Sequence, residues 1–210
     1  MDRDKLKQIA LESINYLIKA HFMPNPYGYL YESDLQSTLF SILRERTNIP
    51  ELFSNRRVKK TLEIPKGNDY FDLKLIYTEY ANKIDLVCLD PEFAISATST
   101  EYMDIHPNSK SESIWDQPLL VGIELKYSMY GKYCSSKSIK DDYEKMEKYK
   151  KDRKKYSPNF HFLCLCFIQD AWSLEETEKD IKVQWNVVPA VDDYDRIYYI
   201  SKNDIYKLKQ

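Results

Sequence analysis

Apolar residues recur at helical spacing through the first segment: Leu6, Ile9, Ala10, Ile14, Leu17, Ile18 and Phe22. This pattern predicts an amphipathic helix stopped by Pro24 and Pro26. After the Asn25-Pro26-Tyr27-Gly28 turn, Leu35, Leu39, Ile42 and Leu43 give the inner stripe of a second helix over about Glu32 to Arg46. The period then changes to two. Val58 to Ile64 and Tyr70 to Tyr77 read as a hairpin around Pro65-Lys66-Gly67-Asn68, and Lys83 to Leu89 as a further strand. Leu119 to Tyr127 and Phe160 to Ile168 are nearly apolar throughout, as strands buried on both faces are. Ile139 to Tyr156 reads as a charged helix between them. Ile181 to Val188 and Arg196 to Ile200 are later strand candidates.

Between the third and fourth strands, residues 91–118 are rich in Ser, Thr, Glu and Asn and read as a long polar insertion or lid. No repeat or linker divides the chain. The expectation is one α/β domain over residues 1–210, a mixed β-sheet flanked by helices, with two helices leading.

Composition narrows the function classes. The 210 residues are 43% hydrophobic and 30% charged, which places the chain with folded proteins and not disordered ones. No apolar run is long enough to span a bilayer, so no membrane partner is expected. The charged N-terminus does not resemble a secretory leader. Cys88, Cys164 and Cys166 lie inside apolar runs, Cys134 outside them, and no C-x-x-C pair exists. A reduced, cytoplasmic protein is expected. The net charge of −2 announces no global basic field, so any nucleic-acid contact must come from a local patch.

The chemistry is carried by charged residues where apolar ones belong. Strand residues two apart share a face, so Glu124 and Lys126 lie together, opposite Val121, Ile123 and Leu125. Asp85 interrupts the apolar run Ile84-Asp85-Leu86-Val87-Cys88 in the same way. A buried charge is costly unless paired or metal-bound. If the two strands are neighbours, Asp85, Glu124 and the backbone carbonyl of Leu125 form a hard oxygen site suited to Mg²⁺, with Mn²⁺ as a possible substitute. Lys126 would then position the attacking water. The competing reading of the same residues is an internal ion pair that serves structure alone.

Ile84-Asp85 followed by Glu124-Leu125-Lys126, each on an apolar strand, resembles the signature of the PD-(D/E)xK, or restriction endonuclease-like, nuclease superfamily. That resemblance spans about Glu32 to Ile168. It implies a restriction endonuclease-like fold, Mg²⁺-dependent phosphodiester hydrolysis, and DNA as the expected substrate, with an endonuclease as the expected form. It also implies a role for Glu32, at the start of the helix before the sheet, in holding a second metal or orienting water. A homodimer is a further expectation by analogy. Ile84 stands where the eponymous Pro would be, the gap from Asp85 to Glu124 is long, and no Gln-x-x-x-Tyr follows, so no subfamily is assigned.

Two secondary candidates accompany these residues. Lys140, in the first turn of the charged helix, is the lysine expected to approach the scissile phosphate. Asp72 and Lys74, with Glu63 upstream, offer a rival register on the predicted hairpin, although they read more simply as an outward polar stripe. A different class of function also fits: a non-catalytic domain of the same fold that binds nucleic acid or a protein and keeps the charged triad as a structural ion pair.

Overall fold

The computed structural model describes residues 1–47, 57–59, 70–72, 75–80, 84–96, 118–129, 135–169, 186–189, 193–200 and 205–209. The first helix, α1 (Arg3–Tyr16), is capped by Asp2, whose side chain accepts from the Lys5 N–H, and widens into a π-helical stretch at Leu17–Phe22. A short 3-10 turn, Pro26–Gly28, leads to α2 (Glu32–Thr47). Asp34 accepts from the N–H groups of Leu30 and Tyr31 and so fixes the entry into α2.

The strands are β1 (Arg57–Lys59), β2 (Tyr70–Asp72), β3 (Ile76–Tyr80), β4 (Ile84–Leu89), β5 (Leu119–Ser128), β6 (His161–Ile168), β7 (Asn186–Pro189), β8 (Arg196–Ile200) and β9 (Ile205–Lys209). The intervening helices are α3 (Pro91–Ser96) and α4 (Ser136–Asp152). Seven strands form one mixed sheet in the order β3-β4-β5-β6-β8-β9-β7. The central pairs β5/β6 and β6/β8 are parallel and the others antiparallel. Parallel pairing of β5 and β6 requires a crossover, and α4 supplies it. Helices α1 and α2 pack on each other and on β5, while α4 packs on β5, β6 and β8.

The α/β class and the flanked mixed sheet agree with the sequence reading. The predicted hairpin holds in its antiparallel pairing, but its return strand is divided. Tyr70–Asp72 pairs with Arg57–Lys59 in a separate two-stranded ribbon, whereas Ile76–Tyr80 joins the main sheet beside β4. The segment Tyr70 to Tyr77 therefore serves two sheets, and its alternation runs through the break without marking it. Asp72 lies on the separate ribbon, and Glu63 and Lys74 lie outside the described residues. The polar insertion opens with a helical turn, Pro91–Ser96, and 97–117 lie outside the described residues. The charged helix closes at Asp152, short of Tyr156, where a turn takes over before Ser157-Pro158. Strand β9 has no counterpart in the sequence reading.

Gly122 sets how closely α4 approaches β5. A Cβ there would meet Met146 Cε and Phe160 Cζ, both at 2.7 Å. Gly122→Ala is therefore expected to lower stability by about 1–3 kcal/mol, the usual range for overpacking. The reading is a lower urea midpoint with an unchanged m-value. The same contact fixes a direction. Gly122, Glu124 and Lys126 alternate onto one face of β5, and that face looks at α4.

Candidate functional site

Pairing between β4 and β5 runs from Leu89/Leu119 to Leu86/Ile123 and stops there. Beyond Ile123 no strand among the described residues pairs with the edge of β5 facing β4. Two carboxylates receive the β5 amides there. The Leu125 N–H donates to Asp85 Oδ2 at 2.7 Å, and the Tyr127 N–H donates to Glu32 Oε2 at 3.2 Å. Asp85 comes from the splayed end of β4 and Glu32 from the first turn of α2. Acidic residues from two elements thus converge where the sheet opens. Gln36, one helical turn after Glu32, donates to the Asp85 carbonyl at 2.8 Å and to Glu79 at 3.1 Å, tying α2 to this end of β4.

Glu124 and Lys126 lie on the face under α4, and α4 answers each with the opposite charge. Lys126 Nζ is 2.9 Å from Asp142 Oδ2, and Lys145 Nζ is 2.7 Å from Glu124 Oε1. The second contact is close but off the axis of a directed hydrogen bond. Glu124 is 5% exposed in its side chain, against 34% for Lys145. Glu124, Lys126, Asp142 and Cys164 also line a small cleft between α4 and the sheet.

The electrostatics follow from this crowding. Burial, reinforced by the nearby charge of Asp85, pushes Glu124 up to about 8 despite Lys145. Burial also raises Asp85, against the pull of the Leu125 N–H and Lys145. Glu32 is raised by burial and by Asp85, with Lys126 acting the other way. Burial works against the charge on Lys126, but Asp142, Glu32 and Glu124 outweigh it and hold the ammonium above its usual value. The four residues singled out in the sequence therefore sense one another's charge.

The donor set suits one hard cation. Asp85 and Glu124 repel each other, and a cation between them would relieve that repulsion. In a strand the N–H and C=O of one residue project to the same side, so the Leu125 carbonyl emerges on the edge where its N–H meets Asp85. Two carboxylates and that carbonyl are oxygen ligands of the kind Mg²⁺ takes. Among the described residues, no three acidic, His or Cys side chains already stand together as a ligand set.

Lys140 is not at this site. Its ammonium pairs with Glu144 at 3.6 Å on the exposed side of α4. It lies two positions before Asp142, roughly half a turn around the helix, so it cannot share Asp142's face. Asp142 and Lys145 take the places on the inner face that the sequence reading missed. A signal was present: Ile139, Met146 and Tyr149 form the buried stripe of α4, and Asp142 falls three residues after Ile139 and four before Met146. A carboxylate inside an apolar helical stripe is the same anomaly that marked Asp85.

Tyrosines among the described residues include both packing and rim residues. Tyr149, Tyr198 and Tyr199 are buried, while Tyr27 and Tyr31 are exposed just before Glu32. The Tyr127 hydroxyl donates to the Tyr29 carbonyl at 2.6 Å and holds that loop against β5. A separate polar junction lies at the start of β6 and β8. There the Asp195 carboxylate meets Lys150, His161 Nδ1 and the Phe162 N–H. Burial alone would raise Asp195, but these partners outweigh it and hold its carboxyl below the usual range. Asp195 adopts a left-handed backbone (φ 59°), which Asp tolerates better than most residues. This junction ties α4 to the sheet.

No helix among the described residues is long and apolar enough to cross a membrane. Comparisons with protein-family models, with curated proteins and with solved structures find no match to this chain.

Proposed function

We propose that the chain is a metal-dependent nuclease of the restriction endonuclease-like kind, an endonuclease acting on DNA with Mg²⁺ as its cofactor and Mn²⁺ as a substitute. The observation that carries the reading is the splayed end of β4 and β5. There Asp85 and Glu32 take over the β5 amides, and Glu124 and Lys126 lie on the adjoining face of the strand under α4, near enough for the charge of Asp85 to act on Glu124. A structural ion pair needs one acid for one base. This opening gathers three acids from three elements around one strand edge.

Asp85, Glu124 and the Leu125 carbonyl would hold the cation, which when bound supplies charge neutralisation at the phosphoryl oxygens and a more acidic water. Lys126, held at a fixed height by Asp142, would hydrogen-bond and orient the attacking water. Glu32, anchored on the Tyr127 N–H, would accept a hydrogen bond from that water or hold a second cation. Asp142 acts through Lys126 and is a positioning residue.

The non-catalytic reading also has a specific observation behind it: Lys126 with Asp142, and Glu124 with Lys145, form two closed pairs. Incubation with plasmid, linear and single-stranded DNA, in Mg²⁺, Mn²⁺ or EDTA, separates the two. The nuclease reading expects cleavage in metal and none in EDTA. Intact substrates under every metal condition would leave only a binding module.

A further inference from the structure

We propose that Lys145 is a built-in placeholder cation, whose ammonium stands at Glu124 in the metal-free site and is displaced toward the substrate phosphate when a divalent cation takes that carboxylate. The inference rests on the metal-dependent reading above and adds to it a residue of α4 and a loading step.

Asp85 and Glu124 stand on neighbouring strands, and whenever Glu124 is ionised without a metal some positive charge must offset the pair. The lysine of the strand motif does not do this, because Lys126 is committed to Asp142 at 2.9 Å. Lys145 does, from three residues further along α4, at 2.7 Å from Glu124 Oε1. Three features mark the contact as exchangeable. Lys145 is about one-third exposed, so its head has a route back to solvent while Glu124 remains buried. Its flexible four-carbon stem allows the ammonium to move several ångströms without moving the helix. No directed hydrogen bond fixes Glu124 Oε1, so the ammonium is held there by charge and can be exchanged for another cation. A divalent ion and an ammonium cannot both occupy that oxygen, because their repulsion in a half-buried site is strong. The displaced ammonium would stay at the rim of the cleft, where a phosphate held by the metal would meet it.

A permanent salt bridge would behave differently: the metal would leave it in place. Two measurements on the 210-residue chain distinguish the cases. The first is lysine acetylation read by mass spectrometry, in EDTA and in Mg²⁺, with Lys140 and Lys148 on the same helix as internal references. The placeholder predicts that Lys145 is acetylated several-fold faster in Mg²⁺ while the references are unchanged. The second is Mn²⁺ affinity by titration calorimetry for wild type, Lys145→Met and Lys140→Met. Lys145→Met should bind about tenfold more tightly, on the scale by which neighbours of metal ligands tune affinity, and Lys140→Met should match wild type. A rise in affinity without a change in Lys145 labelling means repulsion through space alone and overturns the displacement. Equal affinities for wild type and Lys145→Met overturn it while leaving the metal site standing. No Mn²⁺ binding by either protein removes the metal-dependent reading itself. Lys145→Gln serves as a second variant should Lys145→Met fail to fold.

Discussion

Asp85→Asn and Lys126→Ala are each expected to reduce Mg²⁺-dependent DNA cleavage by about a thousandfold or more, the scale of losing one preorganised charged group at a phosphoryl centre. The two substitutions act through different steps. Asp85→Asn keeps an oxygen for the Leu125 N–H, which Asp85 accepts at 2.7 Å, so the strand edge stays satisfied. It removes the negative charge that a cation needs. Its loss should therefore appear in metal affinity as well as in rate. Lys126→Ala leaves the carboxylates in place but removes the group that orients water. Metal should still bind, and the turnover should fall.

The control concerns Asp142. Without Lys126 its carboxylate, 18% exposed, would face the cleft unpaired, at a cost of up to a few kcal/mol. A Lys126→Ala protein that loses activity by unfolding would mislead. Lys126→Met with Asp142→Asn relieves that charge, and it should be folded and inactive. Gel assays with plasmid substrate, alongside thermal melts of each variant, separate the two causes. Undiminished cleavage by a folded Lys126→Ala protein would remove Lys126 from the reaction and, with it, the assignment of the activity to this strand pair.

Why part of this site is legible in sequence and part is not has a simple physical basis. Asp85, Glu124 and Lys126 sit in short apolar strands, where one charge stands out against a uniform background. The register of β4 on β5 then brings Asp85 to the same strand edge as Leu125, which no one-dimensional pattern states. Asp142 and Lys145 are harder, because α4 is charged nearly everywhere and one more acid or lysine raises no contrast. Proximity in the chain alone points to Lys140, whereas helix geometry turns it away. Gln36 is uncharged and fits any helix surface. The helices and the buried strands were recoverable because each buries a face of its own period. The split of residues 70–80 between two sheets was not, because alternation reports a strand's faces and not its partner.

Glu124 makes the unloaded protein expected to lose stability as the pH rises through neutrality. Its carboxyl is pushed by burial, with Asp85 adding to it, from 4.5 up to about 8. The folded chain therefore keeps a proton on Glu124 between about pH 4.5 and 8, where the unfolded chain has released it. More protons bound by the folded state means stability falls with rising pH across that window and levels off above it. The integrated change is on the order of a few kcal/mol. Asp85 and Glu32 are raised in the same direction and add to the lower part of the window. The upper part belongs to Glu124. Glu124→Gln carries no titrating proton, so its urea midpoint in EDTA should change much less than wild type's between pH 6.5 and 8.5. Slopes are compared here, not absolute stabilities, because the amide also removes Lys145's partner at every pH. Metal reverses the effect in wild type. A cation held by Glu124 needs the ionised carboxylate, so its binding should release a proton below pH 8 and restore stability above it. Calorimetry in two buffers of different ionisation enthalpy counts that proton. Identical pH slopes for wild type and Glu124→Gln would mean that Glu124 is already ionised beside Lys145 at neutral pH. The loss of stability with rising pH would then not arise at Glu124, and the Lys145 contact would hold that carboxylate ionised across the whole range.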